Sequence, residues 1–344
     1  MIYFRADGNP QIGTGHIMRC LSLADAFRER VIPAAFVTAE PYMRPLIQER
    51  GYECTVLGST YDRMEEELPM LLPLLEAKRP SCVILDSYFV TPEYMNTLRA
   101  ETTLVYVDDL NAFDYPADLL INYNLYGNAV HYPSNKAYLL GPRYAPLREQ
   151  FRNLAPRMAR EQVEQILIST GGTDQYHVAL RCVEYLLEHP PVPGTVYHIV
   201  LGAMNQDSER IRQLAAKAPY VVPHRQVADM CGLMLQCDMA VSAAGTTLYE
   251  LCACGLPSVT YILADNQIQG AAAFDAAKLM PCAGDVREEV EFPKKIFSML
   301  ERLAAGQMGR QEISRRMQSL VDGDGAAHLV EALSRHLGGL EQKV

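Results

Sequence analysis

Short apolar runs alternate with helical stretches along this chain of 344 residues, and they do so in two successive series. In the first, Ile2–Arg5 reads as a strand and His16–Arg30 as a helix. Ile17, Leu21 and Ala24, with Cys20, Leu23 and Phe27, give that helix one broad apolar face. Ala34–Thr38, Glu53–Leu57, Cys82–Asp86 and Leu104–Asp108 follow as strands, separated by helical patterns at Pro41–Arg50, Met64–Lys78 and Pro92–Glu101. Leu119–Asn122 and Ala137–Leu140 add two short strands. The strands are continuous apolar runs, as expected of parallel sheets covered on both faces. Residues 141–160 break the pattern with three prolines and five arginines, and read as an interdomain connection. The second series has strands at Gln165–Ser169, Thr195–Leu201, Tyr220–Val222, Met239–Ser242 and Ser258–Ile262. Its helices are expected at Tyr176–Glu188, Ser208–Lys217, Val227–Gln236, Thr247–Cys254 and Gln267–Leu279, and two or three more finish the chain. The expectation is α/β: two Rossmann-like, doubly wound parallel-sheet domains, 1–150 and 151–344, facing a central cleft.

Composition narrows the function classes. Apolar residues make up 49% and charged residues 21%, which excludes a disordered chain. No apolar stretch approaches the roughly 18 residues of a membrane span. The net charge is −10, split −3 up to residue 160 and −7 after it. Nucleic-acid binding through phosphates needs a basic field, and neither half supplies one. The nine cysteines are scattered, with no Cys-x-x-Cys pair, so metal-site and disulfide frameworks both fail. Reduced thiols in a cytoplasmic protein are the expectation. The strand-like start Met1-Ile2-Tyr3-Phe4-Arg5 lacks the features of a signal peptide.

Several strand-to-helix loops can carry chemistry. The first is Gly8-Asn9-Pro10-Gln11-Ile12-Gly13-Thr14-Gly15-His16. A dinucleotide fingerprint would need glycine where Met18 sits, and a phosphate-binding P-loop would need Lys-Ser/Thr. What remains is a glycine-rich turn with Thr14 as a helix N-cap and His16 in the first helical turn. The positive helix end disfavours imidazolium, and a neutral ring there suits general-base work. A capping or packing histidine is the competing structural reading. Asp86-Ser87-Tyr88 and Asp108-Asp109 end apolar strands at the ligand-binding edge, although acids there also cap turns.

Ser169-Thr170-Gly171-Gly172-Thr173-Asp174 lets backbone N–H groups approach a ligand, with a hydroxyl from Thr173. Asp238 through Ser242-Ala243-Ala244-Gly245-Thr246-Thr247-Leu248-Tyr249-Glu250 is the strongest segment. A strand ends in small residues and a helix begins at two threonines, a geometry that receives a diphosphate. Glu250 reads equally as the last member of a Thr247-x-x-Glu250 capping box or as a ribose-binding carboxylate. Asp265-Asn266-Gln267 offers amides to a sugar or phosphate, or caps a helix. Asp322-Gly323-Asp324-Gly325 lacks the further ligands of a calcium loop, and Glu65-Glu66-Glu67 reads as a solvated helix start. No Ser, Cys or His has the context of a nucleophile elbow.

These residues carry a resemblance. Val241-Ser242-Ala243-Ala244-Gly245-Thr246-Thr247-Leu248-Tyr249-Glu250-Leu251, with Gly255-Leu256-Pro257 and Asn266-Gln267, resembles the UDP-sugar site of the MurG-type GT-B glycosyltransferases. Phe4-Arg5-Ala6-Asp7, Ile12-Gly13-Thr14-Gly15-His16-Ile17-Met18-Arg19-Cys20, Asp86-Ser87-Tyr88, Asp108-Asp109-Leu110 and Gly141-Pro142-Arg143-Tyr144 with Leu147-Arg148 resemble the hydrolases of the pseudaminic acid pathway. The resemblance runs over roughly residues 1–335. It implies a GT-B-like fold, with a sugar-binding catalytic first domain and a UDP-binding second. It further implies hydrolysis of UDP-2,4-diacetamido-2,4,6-trideoxy-β-L-altropyranose at the anomeric carbon, with inversion. His16 would activate the water. Gly13, Thr14, Gly15, Asp86, Tyr88, Asn266 and Gln267 would line the sugar and phosphates. Gly171, Gly172, Thr173, Ser242, Gly245, Thr246 and Thr247 would cradle the diphosphate, Glu250 the ribose, and Val227 and Met230 would border uracil. Neither cofactor nor metal is implied, and no nucleic-acid or membrane partner. A monomer is expected. The alternative on the same fold is a UDP-sugar glycosyltransferase, which would need an acceptor groove.

Overall fold

The computed structural model describes residues 1–338 apart from 131, 134, 135 and 290. The chain divides into two compact units, Met1–Glu149 with Asp324–Val344, and Gln150–Gly323. In the first, β1 (Ile2–Ala6), α1 (Gly15–Glu29), β2 (Ala34–Thr38), α2 (Arg44–Glu49), β3 (Glu53–Val56), α3 (Leu68–Lys78), β4 (Cys82–Asp86), α4 (Pro92–Glu101), β5 (Leu104–Val107), β6 (Leu119–Asn122) and β7 (Ala137–Leu140) follow one another. They build a parallel seven-stranded sheet in the order β3-β2-β1-β4-β5-β6-β7. Strands β1 and β4 are buried at every position: Ile2–Phe4 and Cys82–Leu85 are apolar, and Arg5 and Asp86 are buried with ion-pair partners.

The second unit runs β8 (Gln165–Ser169), α5 (Val178–Glu188), β9 (Val196–Leu201), α6 (Ser208–Ala215), β10 (Val221–Arg225), α7 (Met230–Gln236), β11 (Met239–Ala243), α8 (Thr247–Ala253), β12 (Ser258–Ile262), α9 (Ile268–Ala276), β13 (Cys282–Asp285), α10 (Phe292–Ala304) and α11 (Gln307–Leu320). Its sheet is parallel, six-stranded and ordered β10-β9-β8-β11-β12-β13. Strand β13 was not expected from the sequence. Cys282-Ala283-Gly284-Asp285 carries little strand propensity, and its pairing with β12 is irregular.

Two expectations about domain organisation need correction. The last helix, α12 (Gly325–His336), belongs to the first unit rather than to a 151–344 domain. Its buried face of Ala326, Leu329, Val330 and Leu333 lies against α1. Gly325 permits that seat, because a Cβ there would fall 2.2 Å from the Ala145 carbonyl oxygen. This explains why α1 is buried on nearly all sides: the sheet covers one face and α12 another. The second correction concerns 141–160, of which the part from Gln150 onward is fabric of the second unit. Arg157 donates to the carbonyls of Met234, Cys237 and Cys254 at 2.7–2.9 Å. It thereby satisfies the carboxyl-terminal ends of α7 and α8, which helix geometry leaves without partners.

Candidate functional site

In each sheet the strand order reverses at one point, and ligands of doubly wound folds bind outside the carboxyl ends of the strands there. In the first unit that point lies between β1 and β4, where Ala6 pairs with Asp86. The loop after β1 is tied by reciprocal Asn9–Gly13 backbone bonds of 2.8 and 3.1 Å, and Gly13 turns it at φ +74°. Thr14 occupies the N-cap of α1 but makes no side-chain capping bond, unlike the expectation for a hydroxyl there. His16 follows in the first turn, 6% exposed.

Its partner is Asp86, from the end of β4. His16 Nδ1 lies 2.6 Å from Asp86 Oδ1. Arg19, one turn along the same face of α1, holds that carboxylate through Nε and Nη2 at 2.6 and 2.5 Å. Arg19 Nη2 also lies 3.1 Å from His16 Nδ1. Nδ1 cannot both donate to Asp86 and accept from Arg19. The shorter contact to an acceptor-only carboxylate assigns the hydrogen to Nδ1 and leaves Nε2 as the basic nitrogen. Burial pushes the Asp86 carboxyl up, but the Arg19 charge, then His16, outweigh it and hold the group well below the usual carboxylate range.

Arg19 also donates from Nη1 to Asp109 Oδ2 and to the Tyr123 hydroxyl, both at 2.7 Å. Asp109 accepts in addition from the Tyr88 hydroxyl and from Asn124 Nδ2, each at 2.9 Å. The Tyr88 ring meets His16 edge-on at 4.5 Å between centroids. One guanidinium thus serves two buried carboxylates, and the imidazole borders the surplus negative charge. Asp108 takes the turn-capping role instead, accepting from the N–H groups of Leu110 and Asn111 at 2.8 and 2.9 Å.

Asp86 corrects one expectation. It is fully buried and its oxygens are occupied by His16 and Arg19, which leaves neither facing outward from the sheet edge. Arg19 was missed. Its signal was available, because an arginine three residues after His16 must share the histidine's face of the helix.

In the second unit the order reverses between β8 and β11, where Ser169 pairs with Ser242. The Gly171–Thr173 and Gly245–Thr247 segments leave the sheet side by side from that point. Gly171 has φ +80°. A Cβ on Gly202, in the β9–α6 loop, would lie 2.4 and 2.3 Å from the carbonyl oxygens of Gly171 and Gly172. Those carbonyls therefore face Gly202, and trans peptide geometry turns the N–H groups of Gly172 and Thr173 the other way. Helix α8 starts at Thr247 with Thr246 as an uncapped N-cap. Leu248 and Tyr249 bond back to Gly245 and Thr246 at 3.1 Å, which leaves the N–H groups of Thr246 and Thr247 at the helix mouth.

The capping-box reading of Thr247 and Glu250 does not hold, since Thr247 is already inside the helix. Glu250 instead shares the half-exposed face of Thr246 and Thr247. Gln267 reaches Gly245, its Nε2 lying 3.9 Å from where a Cβ would be, while its Oε1 accepts from Leu263 N at 3.0 Å. Asn266 is half-buried in the short 3-10 turn Asp265–Gln267, and neither it nor Asp265 caps α9, whose N-cap is Gln267. Ser242 is buried, and its hydroxyl donates to the Ala243 carbonyl at 3.1 Å instead of facing a ligand. Met230 is buried in the first turn of α7, which starts three residues later than expected because Asp229 caps it by accepting from Gly232 N. Val227 is half-buried before that cap. Among the described residues no three His, Cys, Asp or Glu side chains are grouped as metal ligands. Nor is any described helix long and apolar enough to cross a membrane.

No family model matches the chain. It is 22% identical over 338 residues to the spore coat polysaccharide biosynthesis protein SpsG of Bacillus subtilis, covering 95% of this chain and 96% of that protein. It is 28% identical over 222 residues to the UDP-2,4-diacetamido-2,4,6-trideoxy-beta-L-altropyranose hydrolase of Campylobacter jejuni, covering 62% of this chain and 74% of that one. Among solved structures, MurG of Acinetobacter baumannii superposes with a TM-score of 0.69 at 13% identity, over 97% of this chain and 99% of that chain. The spinosyn rhamnosyltransferase SpnG, complexed with thymidine diphosphate, gives 0.69 at 15% identity over the same shares. The fold is of the GT-B class, two Rossmann-like parallel-sheet units.

Proposed function

We propose that the chain is a nucleotide-sugar hydrolase that cleaves UDP-2,4-diacetamido-2,4,6-trideoxy-β-L-altropyranose to UDP and the free sugar, with inversion. The observation that carries the reading is the His16–Asp86 pair at the β1/β4 reversal point. Nδ1 is spent on Asp86, so Nε2 accepts a proton from the attacking water, and Asp86 stabilises the imidazolium that forms. Water adds to the anomeric carbon from the face opposite the nucleotide, and the bond to the diphosphate oxygen breaks. Charge grows on that oxygen. The N–H groups of Gly172, Thr173, Thr246 and Thr247 are the donors suited to it, with no reorganisation needed. Glu250 takes the ribose hydroxyls, Val227 and Met230 border uracil, and Gly13, Thr14, Gly15, Tyr88, Asn266 and Gln267 serve the sugar and phosphates. The similarity to the Campylobacter jejuni hydrolase supports the choice of sugar.

A UDP-sugar glycosyltransferase is the second reading. The same histidine can deprotonate an acceptor hydroxyl. The edge-on pair of Tyr61 and Phe89, 5.2 Å apart and next in sequence to Tyr88, with Phe89 37% exposed, offers an aromatic platform for one. Incubation of the chain with the UDP-sugar and no acceptor, followed by NMR, decides between them. Release of UDP with a free sugar of inverted anomeric configuration is expected. Absence of UDP release sinks the hydrolase.

A further inference from the structure

The turn that begins at Thr170 is held from both ends. At its start the Gly172 carbonyl accepts from Met204 N at 3.3 Å, in the loop whose Gly202 presses against it. At its far end stands Asp174, 4% exposed and at φ +51°. Its Oδ1 accepts from Val178 N at 2.9 Å. Its Oδ2 accepts from Ala179 N at 2.9 Å and from Asn205 Nδ2 at 3.2 Å. Asn205 itself bonds to the Gly202 carbonyl at 3.1 Å and receives Asp207 N at 2.9 Å. One side chain therefore joins the turn to the start of α5 and to the β9–α6 loop. A serine N-cap could satisfy one helix donor; only a two-oxygen acceptor reaches three donors on two elements.

Holding a carboxylate there is costly. Burial pushes Asp174 up to about 6, against the Ala179 and Val178 N–H groups that pull it down. Asp207 pushes it further up, and is itself met by His177 Nδ1 at 2.5 Å. Cys182 from α5 and Tyr261 from β12 also feel its charge, and the Thr170 hydroxyl faces it without a well-formed hydrogen bond. The carboxylate also consumes the first N–H groups of α5. The amides left to a ligand on this side are those of the turn, and their direction depends on the two anchors.

We propose that Asp174 is the positioning residue of this turn, fixing the N–H groups of Gly172 and Thr173 for a nucleoside diphosphate that it does not itself touch. The inference rests on the reading that the turn receives the diphosphate of UDP. Asp174→Asn isolates the carboxylate, since asparagine tolerates the left-handed backbone and keeps one acceptor oxygen. UDP binding by titration calorimetry is expected to weaken about tenfold, and KM for the UDP-sugar to rise with it, while kcat changes less than threefold. Amide exchange at Gly172, Thr173, Val178 and Ala179 is expected to speed up. Asn205→Ala removes the side-chain donor that ties Asp174 to the β9–α6 loop while leaving the carboxylate itself in place, and should weaken UDP binding in the same way if Asp174→Asn fails to fold. Wild-type chain that binds no UDP overturns the reading and the inference together. Variants that stay folded and bind UDP as tightly as wild type overturn the inference alone.

Discussion

Asp86→Asn perturbs the dyad at one atom. In the native site Asp86 accepts from His16 Nδ1 at 2.6 Å and from Arg19 Nε and Nη2 at 2.6 and 2.5 Å. Both of its oxygens face donors. An asparagine has one acceptor oxygen and one donor nitrogen. Oδ1 faces both His16 Nδ1 and Arg19 Nη2 and Oδ2 faces Arg19 Nε, so either flip of the amide sets its NH2 against an Arg19 donor, and only the flip that places NH2 at Oδ1 gives that group an acceptor, His16 Nδ1. In that flip Nδ1 accepts, which places the hydrogen on Nε2 and removes the basic nitrogen from the reacting side. General-base catalysis is worth about 10²- to 10⁴-fold, and losing the tautomer forfeits most of it. A stability cost accompanies it. Breaking one partner of a buried ion pair costs about 3–5 kcal/mol, reduced here to about 2–3 kcal/mol because Arg19 keeps Asp109 and Tyr123. The assay is UDP release at saturating substrate, with circular dichroism confirming the fold and calorimetry measuring UDP affinity. A kcat roughly a thousandfold down with UDP affinity preserved is expected. A folded Asp86→Asn chain with kcat within tenfold of wild type refutes the dyad.

Other outcomes follow from the same contacts. His16→Asn should abolish turnover at near-constant UDP affinity, whereas Glu250→Ala should weaken UDP binding by about 1 kcal/mol in calorimetry and Thr247→Ala, which keeps the backbone N–H, should weaken it less. Arg157→Lys should destabilise the second unit by about 2–4 kcal/mol in urea unfolding, because one ammonium cannot replace a fork that reaches three carbonyls. The pH dependence of stability has two opposite components. The depressed Asp86 carboxyl contributes stability that is present above its unfolded value of about 3.9 and lost as pH falls below it. The raised Asp174 carboxyl contributes stability that is full below about 3.9 and lost as pH rises through about 6, worth up to about 3 kcal/mol. Wild type should therefore gain stability relative to Asp174→Asn between pH 7 and 5, as measured by denaturant midpoints at each pH.

The sheets were legible because parallel strands buried on both faces are built on apolar runs, and Ile2–Phe4, Cys82–Leu85 and Met239–Val241 are such runs. Their loops then had to emerge at the carboxyl edge, which located His16, Gly171 and Gly245 without any contact information. Three things were not legible. A strand such as β13, made of Cys-Ala-Gly-Asp, exists because β12 offers an edge, not because its residues favour it. An amphipathic helix such as α12 announces that it packs but not on what, so its return to α1 was invisible. The pairing of His16 with Asp86 spans 70 positions and follows only from strand order, since β1 and β4 are neighbours through a crossover. Reading Asp86 as a substrate contact missed that a carboxylate at the strand end, opposite a helix bearing both His16 and Arg19, is spent before a ligand arrives.

The charge balance points the same way. At a net charge of −10 the chain has no surplus of arginine and lysine with which to bind anions. Among the described residues, the three buried arginines are all committed internally. Arg5 faces Asp7 and Glu67, Arg19 faces Asp86 and Asp109, and Arg310 serves the carbonyls of Leu303, Ala304, Arg160 and Glu161. Arg287 is similarly spent on Asp265 and Asp285. A diphosphate at the β8/β11 reversal point would then be met by amides, whose partial charges are fixed by the backbone and absent from any count of basic residues. Such a site discriminates by geometry more than by net charge. UDP binding should accordingly fall only weakly with added salt, whereas binding through surface lysines and arginines would fall steeply. A steep loss of affinity between 50 and 500 mM salt would show that side-chain cations, not the two glycine-bearing turns, hold the nucleotide.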